Sequence, residues 1–486
     1  METVNKQGLK SRPPIVTVLG HVDHGKTTLL DYLRKTNVAA KEAGGITQSI
    51  GAYEIEHGGK KITLIDTPGH EAFSKMRSRG AKIADLAILV VAADDGVQPQ
   101  TKEAIRILRE SQMPFIVAIN KIDIAGSEID KVKNQLIQAE VLLEGYGGNI
   151  SWHGISAKTG EGVGEFLDLI LLASELEDLK YDPQTEAEGF VLESGLDSRR
   201  GVTATVIVKN GALKKGEKIA TPTSFGKIKA LENFLGKRAD VLEPSSPALV
   251  LGFESMPKAG EEFFTGQKAE EKMPQKIVQS PPLSPETGVK PAESGLKVRV
   301  ILKAEDFGSL EALTELVRHI PGAEYGELEI ISSGIGDIAI GDVKQAHASN
   351  GVIIGFKVGV ERGAETLIKT HSVKVLTSQI VYELVKNLEL YLKEVRSGIA
   401  EGKLEILSVF GEKGGHQIIG GRVTAGKIKQ GKAFEVWRND AKAFDGRILN
   451  LQKNKKDAIE AARDEEAGLL VEATGTIKEG DALICK

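Results

Sequence analysis

The sequence predicts a multidomain chain of mixed α/β and β class, from its length, a strand–helix alternation near its start and a β-rich pattern that occurs twice. At 486 residues it exceeds what one hydrophobic core usually organises. Short apolar runs at Ile15–Leu19, Ile62–Ile65, Leu86–Ala92 and Phe115–Ile119 read as buried strands, with helical patterns between the last three. Such alternation implies a mostly parallel sheet covered on both faces, with ligands at the C-terminal strand ends. Further on, Gly211-Ala-Leu-Lys-Lys-Gly216 is echoed by Gly426-Lys-Ile-Lys-Gln-Gly431, each between candidate strands, so two small related β-barrels are expected.

Taken in order, residues 1–12 form a polar tail and 13–179 the first α/β domain. Gly201-Val-Thr-Ala-Thr-Val-Ile-Val208 is an alternating β-branched strand running into the turn Asn210-Gly211, within a first barrel at 180–268. Residues 269–295, with Pro281, Pro282, Pro285 and Pro291, hold too few large apolar side chains to fold alone and read as a linker. Residues 296–376 return to α/β alternation, with strands at Val298–Leu302 and Val352–Ile354 and a helix from about Ser309. Ser378 is the expected cap of a connecting helix within 377–398, whose apolar face is Ile380, Leu384, Val385, Leu388, Leu392 and Val395. At ~1.5 Å per residue it would span about 30 Å, a spacer before a C-terminal barrel at 399–486.

Composition narrows the function classes. The chain is 41% hydrophobic and 27% charged and has no run of about 18 apolar residues, so no membrane partner is expected. Its first residues lack a secretory or transit pattern, and a cytoplasmic location is expected. The single cysteine, Cys485, excludes internal disulfides and cysteine-rich metal sites and reads as inert packing. A net charge of -5 argues against wholesale coating of nucleic acid but leaves local basic patches open.

The chemistry concentrates in four short motifs. Gly20-His21-Val22-Asp23-His24-Gly25-Lys26-Thr27, followed by Thr28, fits the phosphate-binding pattern G-x-x-x-x-G-K-S/T between a strand and a helix. Its glycines would let backbone NH groups face phosphates at a helix N-terminus, Lys26 would neutralise β- and γ-phosphate charge, and Thr27 would ligate Mg²⁺. His21 and His24 read as structural within that loop, and Asp23 as either a cation helper or a backbone tether. Asp66, at a strand end in Asp66-Thr-Pro-Gly69-His70, would hold Mg²⁺ through water. Gly69 can bring its NH to a γ-phosphate without a Cβ clash, which makes its loop a switch. Thr47 is the candidate second Mg²⁺ ligand from another loop.

Base choice is read from Asn120-Lys121-Ile-Asp123. The Asp123 carboxylate can accept two hydrogen bonds from guanine, whereas adenine would leave it with an unpaired buried charge, so GTP/GDP is expected over adenine nucleotides. Lys121 would lie along the base, Asn120 would tie loops together, and Ser156-Ala157-Lys158 would contact the guanine carbonyl. His70 stands where many small GTPases carry Gln and is the candidate for orienting the attacking water, with an ordinary hydrogen-bonding loop histidine as the alternative.

These motifs, with Asp66-Thr-Pro-Gly-His-Glu-Ala-Phe73, Ala43-Gly-Gly-Ile-Thr-Gln48, Val91-Ala-Ala-Asp-Asp-Gly96 and Ala346-His-Ala-Ser-Asn350, resemble the translational GTPases and most closely the bacterial initiation factor two family. The resemblance runs from about Arg12 to the C-terminus. It implies a P-loop GTPase domain, two β-barrels, one small α/β domain and a long connecting helix. It further implies a cytoplasmic monomer that works with other initiation factors, brings initiator tRNA to the small ribosomal subunit, promotes joining of the large subunit, and hydrolyses GTP when the ribosome arranges His70. By the same resemblance the last barrel would hold the formyl-methionyl end of the tRNA. Lys453, Lys455, Glu466 and Gly468 fit that pattern, while Gly421, Ala467 and Asn454 stand where the family usually has two cysteines and an aromatic residue. That barrel carries 15 Lys/Arg against 14 Asp/Glu from Glu401 onward, no broad footprint for RNA. A denser basic stripe, Lys75, Arg77, Arg79 and Lys82, beside the switch loop reads as either an RNA contact or a solvated helix face.

Two further readings stand beside this one. The altered barrel pocket motivates a GTP-dependent RNA-binding or ribosome-assembly switch in which hydrolysis is incidental. An elongation-type factor fits the first motif but not the α/β domain and spacer helix.

Overall fold

Strands Gly51–His57, Lys60–Asp66, Ile15–Gly20, Leu86–Ala92, Phe115–Asn120 and Trp152–Gly154 lie in that order in the first sheet of the computed structural model. The structure describes residues 8–34, 51–69, 71–197, 199–273, 297–321, 327–398, 402–413, 416–438, 441–453 and 456–485. Every pairing in the sheet is parallel except the hairpin of Gly51–His57 with Lys60–Asp66. Leu86–Ala92 is buried at all seven positions, as a central parallel strand with helices on both faces must be. On one face, Leu29 and Leu30 of helix Lys26–Arg34 and Phe166 and Ile170 of helix Val163–Leu176 pack on Val16, Val18, Leu64 and Val90. On the other, Ala104 and Leu108 of helix Pro99–Glu110 and Val132 and Leu136 of helix Ile129–Gln138 cover Leu19, Leu89 and Val117. Three loops of the site thereby leave from the C-terminal ends of buried strands.

The first barrel closes through six antiparallel strands in the order Lys218–Ala220, Glu262–Thr265, Glu188–Asp197, Gly201–Asn210, Pro247–Phe253 and Phe225–Asn233, the last returning to the first. The C-terminal barrel closes in the same way through Gly402–Lys413, Ala482–Cys485, Ala433–Arg438, Ala441–Lys453, Glu466–Ala473 and His416–Lys429. The sequence echo has a structural counterpart. Gly216 N donates to the Ile228 carbonyl and Gly431 N to the Ile448 carbonyl, each at 2.9 Å. At another corner Ser245 N donates to Val208 and Asp464 N to Val423, and both residues take positive φ, 67° and 68°.

The α/β domain carries a four-stranded sheet ordered Glu327–Ile335, Lys297–Ala304, Val352–Phe356 and Val375–Ser378. Its first helix is Phe307–His319, capped by Asp306, whose carboxylate accepts from Ser309 N at 2.7 Å. The connecting helix runs Val381–Gly398, and Ser378 Oγ accepts from Ile380 N at 3.0 Å, ahead of the helix rather than within its first turn. The chain divides into a unit ending at Val385 and a second, from Lys386, built on the C-terminal barrel.

Two further expectations change. Residues 269–271 belong to helix Gly266–Glu271, not to a linker, because Glu186 accepts from Gln267 N and Lys268 N at 2.6 and 2.9 Å and Ala269 is buried. Residues 274–296 lie outside the described residues. The basic stripe of helix Ser74–Ile83 is also not a continuous surface feature. Arg77 and Arg79 are buried, Arg77 bonded to Glu103 and Arg79 to Glu311 at 2.6 Å, while Lys75 and Lys82 remain exposed. A buried guanidinium needs a partner, and these two have turned inward to find one.

Among the described residues no helix is long and apolar enough to cross a membrane.

Candidate nucleotide-binding site

The phosphate loop hangs between strand Ile15–Gly20 and helix Lys26–Arg34, and glycine is required at both of its ends. Gly20 has φ +147° with its missing Cβ only 2.4 Å from the Val90 carbonyl, and Gly25 has φ +85° with the same point 2.3 Å from Asn120 Nδ2. Lys26 is buried inside the loop, its ammonium donating to the carbonyls of Gly20 at 2.8 Å and His21 at 2.5 Å. Burial pushes that ammonium down to about 8, against the pull of Asp66. Val22 N donates to Gln100 Oε1 at 2.9 Å, so helix Pro99–Glu110 braces the loop. His24 is wholly buried, with ring nitrogens 3.2 Å from Asp95 Oδ2 and 3.4 Å from the Val90 carbonyl. Burial brings it down to about 4, which keeps it neutral, and His21 packs against its ring at 5.0 Å between centroids. Asp23 is exposed at φ 63°.

Asp66 is buried at the end of its strand, and the next residue is pinned by Thr67 Oγ1 donating to the Val18 carbonyl at 2.7 Å. Gly69 lies over the lysine, since a Cβ there would be 2.5 Å from Lys26 Nζ and 3.3 Å from Val22 Cγ2. Thr27 is half-buried in the first turn of its helix and Thr28 is exposed. Thr47 and His70 lie outside the described residues.

On the base side, Asn120 is the joint. Its Nδ2 donates to the His24 carbonyl and its Oδ1 accepts from Ala157 N, both at 2.9 Å, so one buried amide ties the phosphate loop to the Ser156–Lys158 loop. Asp123 Oδ1 accepts from Ser156 Oγ at 2.7 Å, and Ser156 Oγ accepts in turn from Thr159 N at 3.1 Å. Lys121, at φ 65°, donates to Asp94 at 3.2 Å, and Lys158 is exposed. Gln100, Asp94, Asp95 and Arg34 join the site without having been expected from sequence. Gln100 and Asp95 meet the phosphate loop at Val22 and His24, Asp94 meets Lys121 and Arg34 lies near Asp66, contacts that only the fold creates.

The residues expected to hold a tRNA end behave differently. Gly421 and Ala467 are direct partners across two strands and face the barrel interior, where a Cβ on Gly421 would be 2.3 Å from both Leu404 Cδ2 and the Glu405 carbonyl. Glu466 pairs with Arg422 at 2.8 Å, Lys453 with Glu465 at 2.6 Å, and Gly468 is opposite Gly420 and Gln452. Asn454 and Lys455 lie outside the described residues.

A mostly parallel sheet with this loop, a lysine buried within it and an Asn–Asp pair following the next strand but one defines a P-loop domain of the GTPase class, here joined to two closed barrels and an α/β domain. Family models agree: the Elongation factor Tu GTP binding domain matches residues 11–175, Elongation factor G domain 2 matches 186–266, and Translation-initiation factor 2 matches 286–389. Translation initiation factor IF-2 of a Nitratiruptor species is 39% identical over 99% of this chain and 59% of its own length. That of Bacillus subtilis (strain 168) is 38% identical over 99% of this chain and 70% of its own. The crystal structure of GDP-bound aIF5B from Aeropyrum pernix is similar at 28% identity over 98% of this chain and 92% of that one, with a TM-score of 0.48. The chain belongs to the translation initiation factor IF-2 family, and it spans 59% of the length of the Nitratiruptor relative.

Proposed function

We propose that this chain is a cytoplasmic, monomeric initiation-factor GTPase that binds GTP and GDP with Mg²⁺, works with initiator tRNA, both ribosomal subunits and the other initiation factors, and hydrolyses GTP under ribosome stimulation. The observation that carries the nucleotide reading is the Asn120 bridge, which holds the phosphate loop and the Asp123–Ser156 pair as one rigid cradle. A carboxylate so fixed reads the ring NH and amino group of guanine, while Lys26 and the NH groups of the loop take the phosphates. Thr27 and Asp66 are hard oxygen donors beside that lysine, the donor type Mg²⁺ takes, so they fit as its holders. When bound, Mg²⁺ would neutralise charge between the β- and γ-phosphates. Gly69 would donate its NH to the γ-phosphate, and His70 would hold the attacking water in line.

The test is GTP turnover by the purified chain, alone and with ribosomes, in wild type and His70→Ala, beside binding of initiator tRNA to small subunits. Ribosome stimulation lost in the variant, with nucleotide binding kept, is the expected result. Stimulation unchanged by the variant would remove His70 from catalysis, and no stimulation at all would sink the translational role.

A second reading, a GTP-dependent RNA-binding or assembly switch, draws on the C-terminal barrel, where Gly421 and Ala467 point inward. It requires that His70→Ala leave biological activity intact.

A further inference from the structure

Arg34 closes the helix that begins at Lys26, and its guanidinium carbon lies 3.4 Å from the centroid of the Tyr53 ring. From that stack its Nη2 is 3.9 Å from Asp66 Oδ2, with the arginine side chain 21% exposed and the aspartate's 7%. Tyr53 is a core residue of strand Gly51–His57, which pairs with the strand ending at Asp66. Three elements therefore converge so that Asp66 has Lys26 and Arg34 as neighbouring cations.

We propose that Arg34 is a resident cation that competes with Mg²⁺ at Asp66 and so sets how much metal the chain needs to retain its nucleotide. The proposal rests on the nucleotide reading above. A divalent ion held at Asp66 would share that carboxylate with a guanidinium 3.9 Å from it, and two cations drawn to one half-dry carboxylate repel each other. Arg34 can yield. It makes no bidentate clasp to Asp66 and its buried Nε has no hydrogen-bond partner among the described residues, while the ring face of Tyr53 is what keeps the cation beside the carboxylate. A cation in the last turn of a helix also complements the helix dipole. If that were its whole role, Arg34 would affect stability and leave metal dependence alone.

The experiment follows release of a fluorescent methylanthraniloyl-GDP from the full chain while Mg²⁺ is titrated, reading the concentration that half-maximally slows release. Arg34→Gln is expected to lower that midpoint roughly fivefold, the size of one partly screened charge pair. Tyr53→Leu, which removes the ring face, shifts it in the same direction by less, and Tyr53→Phe, which keeps it, does not. The Tyr53 pair carries the test if Arg34→Gln fails to fold. Nucleotide retained by wild type with a midpoint unmoved or raised in Arg34→Gln, or equal in the two Tyr53 variants, overturns the proposal alone. A wild-type chain that retained no nucleotide at any Mg²⁺ concentration would overturn the nucleotide reading with it.

Discussion

Arg77 donates to both carboxylate oxygens of Glu103, at 2.7 and 2.8 Å, from a side chain only 1% exposed. Its other terminal nitrogen donates to the Pro68 carbonyl at 3.0 Å, so the pair anchors the Asp66–Gly69 segment to the helix that also supplies Gln100. Glu103→Ala would leave a buried guanidinium without its carboxylate, a loss that costs about 3–5 kcal/mol. The expected outcome is a clearly lower urea midpoint for the first domain. In a Trp437→Phe background Trp152 is the one remaining tryptophan and reports that domain. A midpoint within error of the parent's would show that Arg77 finds water or another acceptor.

Arg77 also marks where sequence reading ends. The phosphate loop, Asp66-Thr-Pro-Gly69 and Asn120–Asp123 are legible because their chemistry needs fixed residue types at fixed local spacing, at strand ends that apolar runs reveal. The partners of Arg77 and Arg79 stand 26 and 232 residues away, and nothing local distinguishes these arginines from exposed Lys75. Strand Gly51–His57 escaped because its apolar signal is thin, although Gly58-Gly59 between it and Lys60 is a hairpin signal. Gly421 points inward because register shifts on both sides of Leu404–Ile406 reset the alternation, and a bulge is invisible in the residue pattern. Arg34 reads as an ordinary helix-end cation until its stack on Tyr53 is seen.

Lys26 predicts two opposite pH responses from one group. Its ordinary value is 10.5, and burial lowers it to about 8 in the folded chain. Between those values only the unfolded chain carries the proton, so this lysine's contribution to stability rises with pH through that window. Below about pH 8 both states are charged and the contribution is flat. Phosphates need the charged form, so nucleotide binding must take up a proton above pH 8, and affinity should fall by up to about tenfold per pH unit there. Calorimetry in buffers of different ionisation enthalpy counts that proton directly. Uptake near zero at pH 8.5 would mean that Lys26 remains charged in the free protein.

Asp123 is held by Ser156, and the two predict separable variants. Asp123→Asn replaces a double acceptor with a group that offers guanine a donor where it needs an acceptor. GTP affinity should drop about 10- to 100-fold, the cost of one unsatisfied buried polar group, with a gain for xanthosine triphosphate. Ser156→Ala only loosens the carboxylate, so GTP should weaken severalfold with no change in base preference. Competition against fluorescent GDP measures both, and a Ser156→Ala chain that accepted xanthosine would show that the serine itself reads the base.

Asn120 is where these effects meet. Its side chain is 1% exposed, fills the space beside Gly25 and spends both ends of its amide on backbone, the His24 carbonyl and Ala157 N. In Asn120→Ala both of those groups lose their partners at once, about 1–3 kcal/mol for each if water cannot reach them. The two loops would then hold phosphate and base independently, and GDP should leave at least about tenfold faster, the rate equivalent of ~1.4 kcal/mol. Asn120→Asp separates the two ties. Its carboxylate can still accept from Ala157 N but sets an oxygen against the His24 carbonyl, so the phosphate loop is released while the Ser156–Lys158 loop stays. Faster release in both variants locates the restraint in the tie to His24. Release as slow as wild type in Asn120→Asp, with fast release in Asn120→Ala, would place it in the tie to Ala157 instead.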